Sequence, residues 1–400
     1  MNTSSAPSKH MIPYGQHYLD EEDIQAIVRQ MREGTLTQGA TIETFERSVA
    51  QYVGAKYAVA VTSGTAALHL ACAAAKITTG DTLFTSAITF VASANCAKYV
   101  GASPQFVDID PDTLNMDPAD LDRRCKAAGR VRAIVPVHFA GLACDMSAIR
   151  RIADAYGAVV IEDASHALGG SFPNGTRVGS CSMSDMTVLS FHPVKSITTG
   201  EGGMVTTNNE NLYRDLLRLR SHGINKAHDP LLLADHAYTD GIQNRWYYEM
   251  QELGFNYRMT EIQAALGVSQ LKKLDRFIER RRELVIRYDA AFADSADIRP
   301  GQRSGRDMSG HHLYVIRAPF GRGCVSRNSY MQRLYDKGVI SQVHYIPVPL
   351  HPYYQKRGHR PEDFPNALSY YSEALSIPLF FALTDAQQDQ VIDTIRSALH

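Results

Sequence analysis

Short apolar runs alternate with helical patterns from about residue 52 to residue 208, and this alternation confines the chain to a mostly parallel sheet with helices on both faces. The runs fall at residues 57–61, 82–85, 104–108, 133–137, 159–161 and 187–190. In an open α/β sheet ligands bind beyond the carboxyl ends of the strands, so the residues that follow each run carry the functional signal. Further on, residues 259–292 read as one long amphipathic helix, with Ile262, Leu266, Leu271, Leu274 and Ile278 near helical spacing. That helix leads to a C-terminal α+β part in which 312–316 and 339–345 read as strands and 385–399 as a closing helix. The expected division is a large domain over 1–274, with a frayed tail over 1–11, and a smaller domain over 275–400.

Three strand ends point to one chemistry. After the run 187–190, Lys195 stands in a loop of small residues that ends in Gly200-Glu201-Gly202-Gly203. An amine attacks an aldehyde only when unprotonated, so a desolvated lysine on backbone that a cofactor can approach suits a Schiff base, whereas a solvated lysine is the plain alternative. After 57–61, the turn Thr62-Ser63-Gly64-Thr65 opens an Ala-rich helix, and free N–H groups, helix dipole and hydroxyls there suit a phosphate. An ordinary capped βα turn would read the same way. After 159–161 the apolar run breaks into Glu162 and Asp163, and a carboxylate at that edge can pair with a protonated pyridine nitrogen or cap a helix. Phosphate turn, aspartate and lysine, in that order, match the three fixed points of pyridoxal phosphate.

With these segments in place the chain resembles the DegT/DnrJ/StrS sugar aminotransferases of fold-type I, from about Ile12 to the C-terminus. The resemblance also rests on Gly34-Thr35-Leu36-Thr37-Gln38-Gly39, on Ile88-Thr89-Phe90-Val91-Ala92-Ser93, on Val137-His138-Phe139-Ala140-Gly141, on Gly254-Phe255-Asn256-Tyr257-Arg258-Met259 and on Gln342-Val343-His344-Tyr345. It implies a fold-type I α/β architecture with pyridoxal 5'-phosphate as cofactor. Lys195 would carry the cofactor and shuttle the proton, Asp163 would hold the ring nitrogen, and Gly64, Thr65 and Ser190 would bind the phosphate. Phe90 would stack on the ring as a buried aromatic, and His166, where many members carry Gln, would lie near the ring oxygen. Asn256 would reach the phosphate of a neighbouring subunit, which makes the expected enzyme a homodimer with composite sites. Tyr14, Gly34, Thr35, Leu36, Thr37, Gln342, Val343, His344 and Tyr345 would contact the nucleotide sugar. Within the family, the wording of 190–203, 165–169 and 342–345 most resembles the pseudaminic-acid branch. That branch implies L-glutamate as donor and a UDP-linked 4-keto-6-deoxy-N-acetylhexosamine as acceptor.

Composition narrows the alternatives. The 400 residues carry a formal charge of -1 with no basic tail, so nothing calls for nucleic acid. No run approaches the ~18 apolar residues of a membrane helix. The six cysteines are scattered without C-x-x-C spacing, which points to reduced thiols, a cytoplasmic home and no structural zinc, and the His344 and His351 neighbourhood lacks a carboxylate or cysteine to complete a metal site. Three rivals stay in view: a dehydrating branch of the same fold, which has histidine where Lys195 stands; a cofactor-binding regulator without turnover; and a nicotinamide oxidoreductase, for which no G-x-G-x-x-G follows a strand. The segment 222–253, with Trp246, Tyr247 and Tyr248, reads either as a substrate cover or as a surface insertion.

Overall fold

The computed structural model describes residues 11–225, 229–322 and 324–398, so most of the expected N-terminal tail lies outside the described residues. Seven strands form the central sheet: β1 (Tyr57–Val61), β2 (Thr82–Ser86), β3 (Ser103–Val107), β4 (Val131–Val135), β5 (Val159–Asp163), β6 (Met186–Ser190) and β7 (Gly203–Thr207). They stand in the order β1-β7-β6-β5-β4-β2-β3. Pairs β2/β3, β2/β4, β4/β5 and β5/β6 are parallel, and β7 alone runs against its neighbours β1 and β6. The mostly parallel sheet is the one the alternation predicts, but β7 is not among the predicted runs, because a strand that opens on Gly203 directly after Gly200-Glu201-Gly202 looks like loop. The structure supplies the reason for the glycine: a Cβ on Gly203 would lie 2.3 Å from the carbonyl oxygen of Ser63, so β7 passes the turn after β1 too closely for any side chain.

Helices α1 (Glu21–Glu33), α2 (Ala40–Val53), α3 (Gly64–Ala74), α4 (Ala92–Tyr99), α5 (Pro118–Ala127), α6 (Met146–Tyr156) and α7 (Glu210–Arg220) accompany the sheet, and two large apolar clusters account for its two faces. α3 is buried almost throughout, which its run of alanines permits by letting β6 and β7 approach. The segment after α7 contains a short helix, α8 (Ala234–Ala237), and a hairpin of β8 (Tyr238–Thr239) and β9 (Ile242–Gln243), with Leu232, Ile242, Trp246, Tyr248 and Leu253 exposed.

The expected long helix is two. α9 (Glu261–Leu271) and α10 (Leu274–Phe292) are separated at Lys272 and Lys273, where the buried Lys273 amine turns to Asp20 and to Asp23, 2.9 Å away, and locks the break onto α1. α10 then serves two cores: Leu274, Phe277 and Ile278 pack against the central sheet, while Leu284, Val285, Tyr288 and Phe292 pack with a second sheet. That second sheet has three antiparallel strands, β10 (Arg299–Pro300), β11 (Tyr314–Arg317) and β12 (Ala374–Ile377). Residues 339–345 do not form the expected strand. They make isolated bridges only, Val339 with Ile12 and Gln342 with Ser376, before Pro347 and Pro349 divert the chain.

α2 begins at Gly39, which has no side chain to cap it, and the buried carboxylate of Glu261 at the start of α9 does so instead. Glu261 accepts from the N–H groups of Gly39 (2.7 Å), Thr41 (2.8 Å) and Ile42 (3.3 Å). Replacing Glu261 with Ala strands these donors and is expected to cost about 2–3 kcal/mol in a denaturant titration, with Glu261→Gln losing less. An unchanged unfolding midpoint in Glu261→Ala would contradict this cap.

Candidate active site

The carboxyl ends of β1, β5 and β6 converge on a cavity of about 600 Å³, which brings together residues far apart in sequence. At the end of β1, Ser63 caps α3 by accepting from the Ala66 N–H at 3.1 Å, and the N–H groups of Gly64 and Thr65, first in the helix, have no helical acceptor. A Cβ on Gly64 would stand 3.1 Å from Ser190 Cβ, 3.2 Å from its Oγ and 3.7 Å from Ser165 Oγ. Bare backbone, a helix N-terminus and converging hydroxyls form a cradle that fits a phosphate.

Lys195 lines the same cavity from the loop between β6 and β7. The loop is closed by bonds from Phe191 N to Gly202 O (2.9 Å) and from Thr199 N to Phe191 O (3.1 Å), and the buried Phe191 and Ile197 anchor it in the core. Lys195 keeps some accessible surface because it faces the cavity, yet burial lowers its amine to about 8 against the opposing pull of Asp163. Asp163 is buried at the end of β5, its Oδ2 accepting from Ser93 Oγ at 2.6 Å and its Oδ1 from the Ser165 N–H at 3.1 Å. A lysine that sheds its proton near neutrality and a carboxylate on one cavity suit a group with an aldehyde and a basic ring nitrogen.

The remaining wall is rich in neutral polar rings. Ala140 N–H donates to His166 Nδ1 at 3.3 Å, which leaves the proton on Nε2, 3.1 Å from the Tyr345 hydroxyl. Burial, then the charges of Lys195 and His344, push the His166 pKa well below its ordinary value. His344 is brought down to about 4 by burial, with Lys195 adding to it, and its Nδ1 lies 2.8 Å from Ser376 Oγ. Burial raises the phenol of Tyr345, with the Asp163 charge adding to it. His312, absent from the sequence reading of the site, lines the cavity with its ring 4.4 Å from that of His166. No local motif marks it, since its neighbours read only as strand.

Of the residues singled out in the sequence, Tyr14, Gly64, Thr65, Phe90, Asp163, His166, Ser190, Lys195, His344 and Tyr345 line this cavity. Phe90 is not the buried ring that was expected: it is 55% exposed, standing at the cavity wall with its ring 6.1 Å from Tyr345. Gly34, Thr35, Leu36, Thr37, Gln342 and Val343 do not line it. Leu36 is exposed, with its carbonyl accepting from Glu261 N at 3.0 Å, and Gln342 pairs with Ser376. Asn256 is bridged to Ser221, likewise outside the lining of this chain's own cavity.

The profile of the DegT/DnrJ/EryC1/StrS aminotransferase family matches residues 17–396. The spore coat polysaccharide biosynthesis protein SpsC of Bacillus subtilis is 40% identical over 389 residues, covering 97% of each chain. The UDP-4-amino-4,6-dideoxy-N-acetyl-beta-L-altrosamine transaminase of Campylobacter jejuni is 36% identical over 390 residues, covering 97% of this chain and 98% of its own. Among solved structures, Helicobacter pylori PseC, an aminotransferase of pseudaminic acid biosynthesis, superposes with a TM-score of 0.85 at 28% identity, over 97% of this chain and 99% of its own. Spr1654 of Streptococcus pneumoniae, in its PLP form, gives 0.84 at 29% identity, over 97% and 98%.

Two outcomes follow from the geometry. The rate at which the protein condenses with pyridoxal phosphate should rise with pH around a midpoint near 8, because only the unprotonated Lys195 amine attacks; a midpoint near the ordinary 10.5 would contradict its desolvation. Gly64→Ala should weaken pyridoxal phosphate binding at least about tenfold, as expected when a methyl group displaces one good phosphate contact, with little change in unfolding midpoint.

Proposed function

We infer that this chain, which belongs to the DegT/DnrJ/EryC1/StrS aminotransferase family, moves an amino group from L-glutamate to C4 of a UDP-linked 4-keto-6-deoxy-N-acetylhexosamine. It is a pyridoxal-phosphate-dependent sugar aminotransferase with the fold-type I architecture. The observation that carries the reading is the meeting of Lys195, Asp163 and the Gly64 cradle in one cavity. The choice of sugar is supported by the names of the Campylobacter and Helicobacter proteins. The 40% identity to SpsC favours a second reading, a different nucleotide-linked ketosugar destined for a surface polysaccharide.

Bound pyridoxal phosphate supplies an aldehyde that holds the migrating nitrogen and a ring that accepts the electron pair left when a proton departs from carbon. Gly64, Thr65 and Ser190 would bind its phosphate through N–H and hydroxyl groups, and Asp163 would keep a proton on the ring nitrogen. Phe90, already at the cavity wall, offers an aromatic face to the ring. Lys195 Nζ, once free, would take the proton from Cα of glutamate and later deliver one to C4 of the sugar, and its lowered pKa suits both directions near neutral pH. His166, His344 and Tyr345 stay neutral there, so they can donate and accept hydrogen bonds without competing with Lys195 for the proton. Tyr14, His344 and Tyr345, which line the same cavity, would contact the sugar.

A homodimer is part of the same reading, in which Asn256, outside this chain's own cavity lining, would reach the partner's phosphate and Gly34, Thr35, Leu36 and Thr37 would serve substrate. The division into a large and a smaller domain is likewise part of this reading; the two cores that α10 joins support it, with the change of core falling between Ile278 and Leu284 rather than at 274/275. The test is the visible spectrum of the loaded protein, followed through addition of L-glutamate and then of the UDP-linked ketosugar. The cofactor band should bleach with glutamate and return with the sugar, and Lys195→Ala should abolish the cycle. Bleaching without recovery would replace this sugar by another, and near-normal turnover in Lys195→Ala would overturn the role of the lysine.

A further inference from the structure

A hydroxyl that none of the roles above uses is held against Asp163. Ser93 lies in the first turn of α4, fully buried, with its Oγ 2.6 Å from Asp163 Oδ2. Thr89 Oγ1, also buried and at the edge of the cavity lining, lies 2.7 Å from that same Ser93 Oγ. Chemistry fixes the direction of both bonds. An ionised carboxylate has no proton to give, so Ser93 donates to Oδ2; a hydroxyl has one proton, so Ser93 then accepts and Thr89 donates. The carbonyl of Phe90, 3.3 Å from Ser93 Oγ, is the more distant and weaker competitor for that proton. The chain Thr89 to Ser93 to Asp163 is thus polarised throughout toward the carboxylate, with Ser93 fully buried. On the other side, the Ser165 N–H fixes Oδ1.

We propose that Ser93 is a positioning residue of the reaction, with Thr89 orienting it: together they hold the Asp163 carboxylate in one plane, so that it would meet the cofactor's ring nitrogen in a fixed orientation. This rests on the reading of Asp163 as the partner of that nitrogen. Without Ser93, Oδ2 loses its buried donor and the carboxylate is free to turn about its side-chain bond. The sequence contains both residues in Ile88-Thr89-Phe90-Val91-Ala92-Ser93, but nothing local connects Ser93 to a carboxylate seventy positions on.

The test uses the full chain, stripped of cofactor, and measures equilibrium binding of pyridoxal phosphate against an analogue with a ring carbon in place of the nitrogen. The wild-type protein should prefer pyridoxal phosphate. Ser93→Ala should lose at least about tenfold of that preference, the factor expected for one hydrogen bond to a charged group. Thr89→Val should lose less, and the double variant should be no worse than Ser93→Ala, because the two act in series. Ser93→Thr, which keeps the hydroxyl, should retain the preference. A role in packing alone would weaken both molecules equally and leave the preference intact, which overturns the proposal when Asp163→Asn abolishes it in parallel. Should Asp163→Asn also leave the preference unchanged, the reading of Asp163 falls first and takes the proposal with it. If Ser93→Ala fails to fold, Thr89→Val carries the same comparison, with an unchanged preference counting against the chain.

Discussion

A buried amine loses the hydration that keeps it charged, and the loop around Lys195 places its amine under that constraint. Phe191 and Ile197 are sunk into the core on either side, and the Phe191–Gly202 and Thr199–Phe191 bonds close the loop, so the amine faces the cavity and little else. The opposing charge of Asp163 would restore the proton; desolvation outweighs it, and the amine settles at about 8. The antiparallel β7 belongs to the same device, because it returns the chain alongside β6 and passes so close to Ser63 that Gly203 cannot carry a side chain.

Around this amine the protein places rings that burial keeps uncharged. His166, His312 and His344 are all depressed by burial first and by the Lys195 charge among the further causes. The consequence is a cavity that offers directional donors and acceptors from uncharged rings around Lys195 and Asp163. Asp163 in turn is steadied from outside the cavity by Ser93 and from its own turn by Ser165. Stability and function share these contacts, since the strand ends that assemble the site are also the centre of the core.

The parallel sheet was legible because its strands repeat a local pattern, and Lys195, Asp163 and Gly64 were legible because each follows a strand in a wording of its own. What escaped depends on neighbours distant in sequence. β7 looks like loop until its approach to Ser63 is seen. The break between α9 and α10 is set by Lys273 meeting Asp20 and Asp23 on α1, and periodicity carries no trace of that pairing. Phe90, set in an apolar motif, reads as core, whereas the cavity is what leaves it exposed. His312 and Ser93 acquire meaning only from the rings and carboxylate that the fold sets beside them.

Lys195 is expected to be the one residue that binds the cofactor covalently. Borohydride reduction of the pyridoxal phosphate-loaded protein, followed by peptide mass mapping, should place one phosphopyridoxyl group on the peptide that contains Lys195. The same mass on another lysine, or a loaded protein that reduction leaves unlabelled, would contradict it.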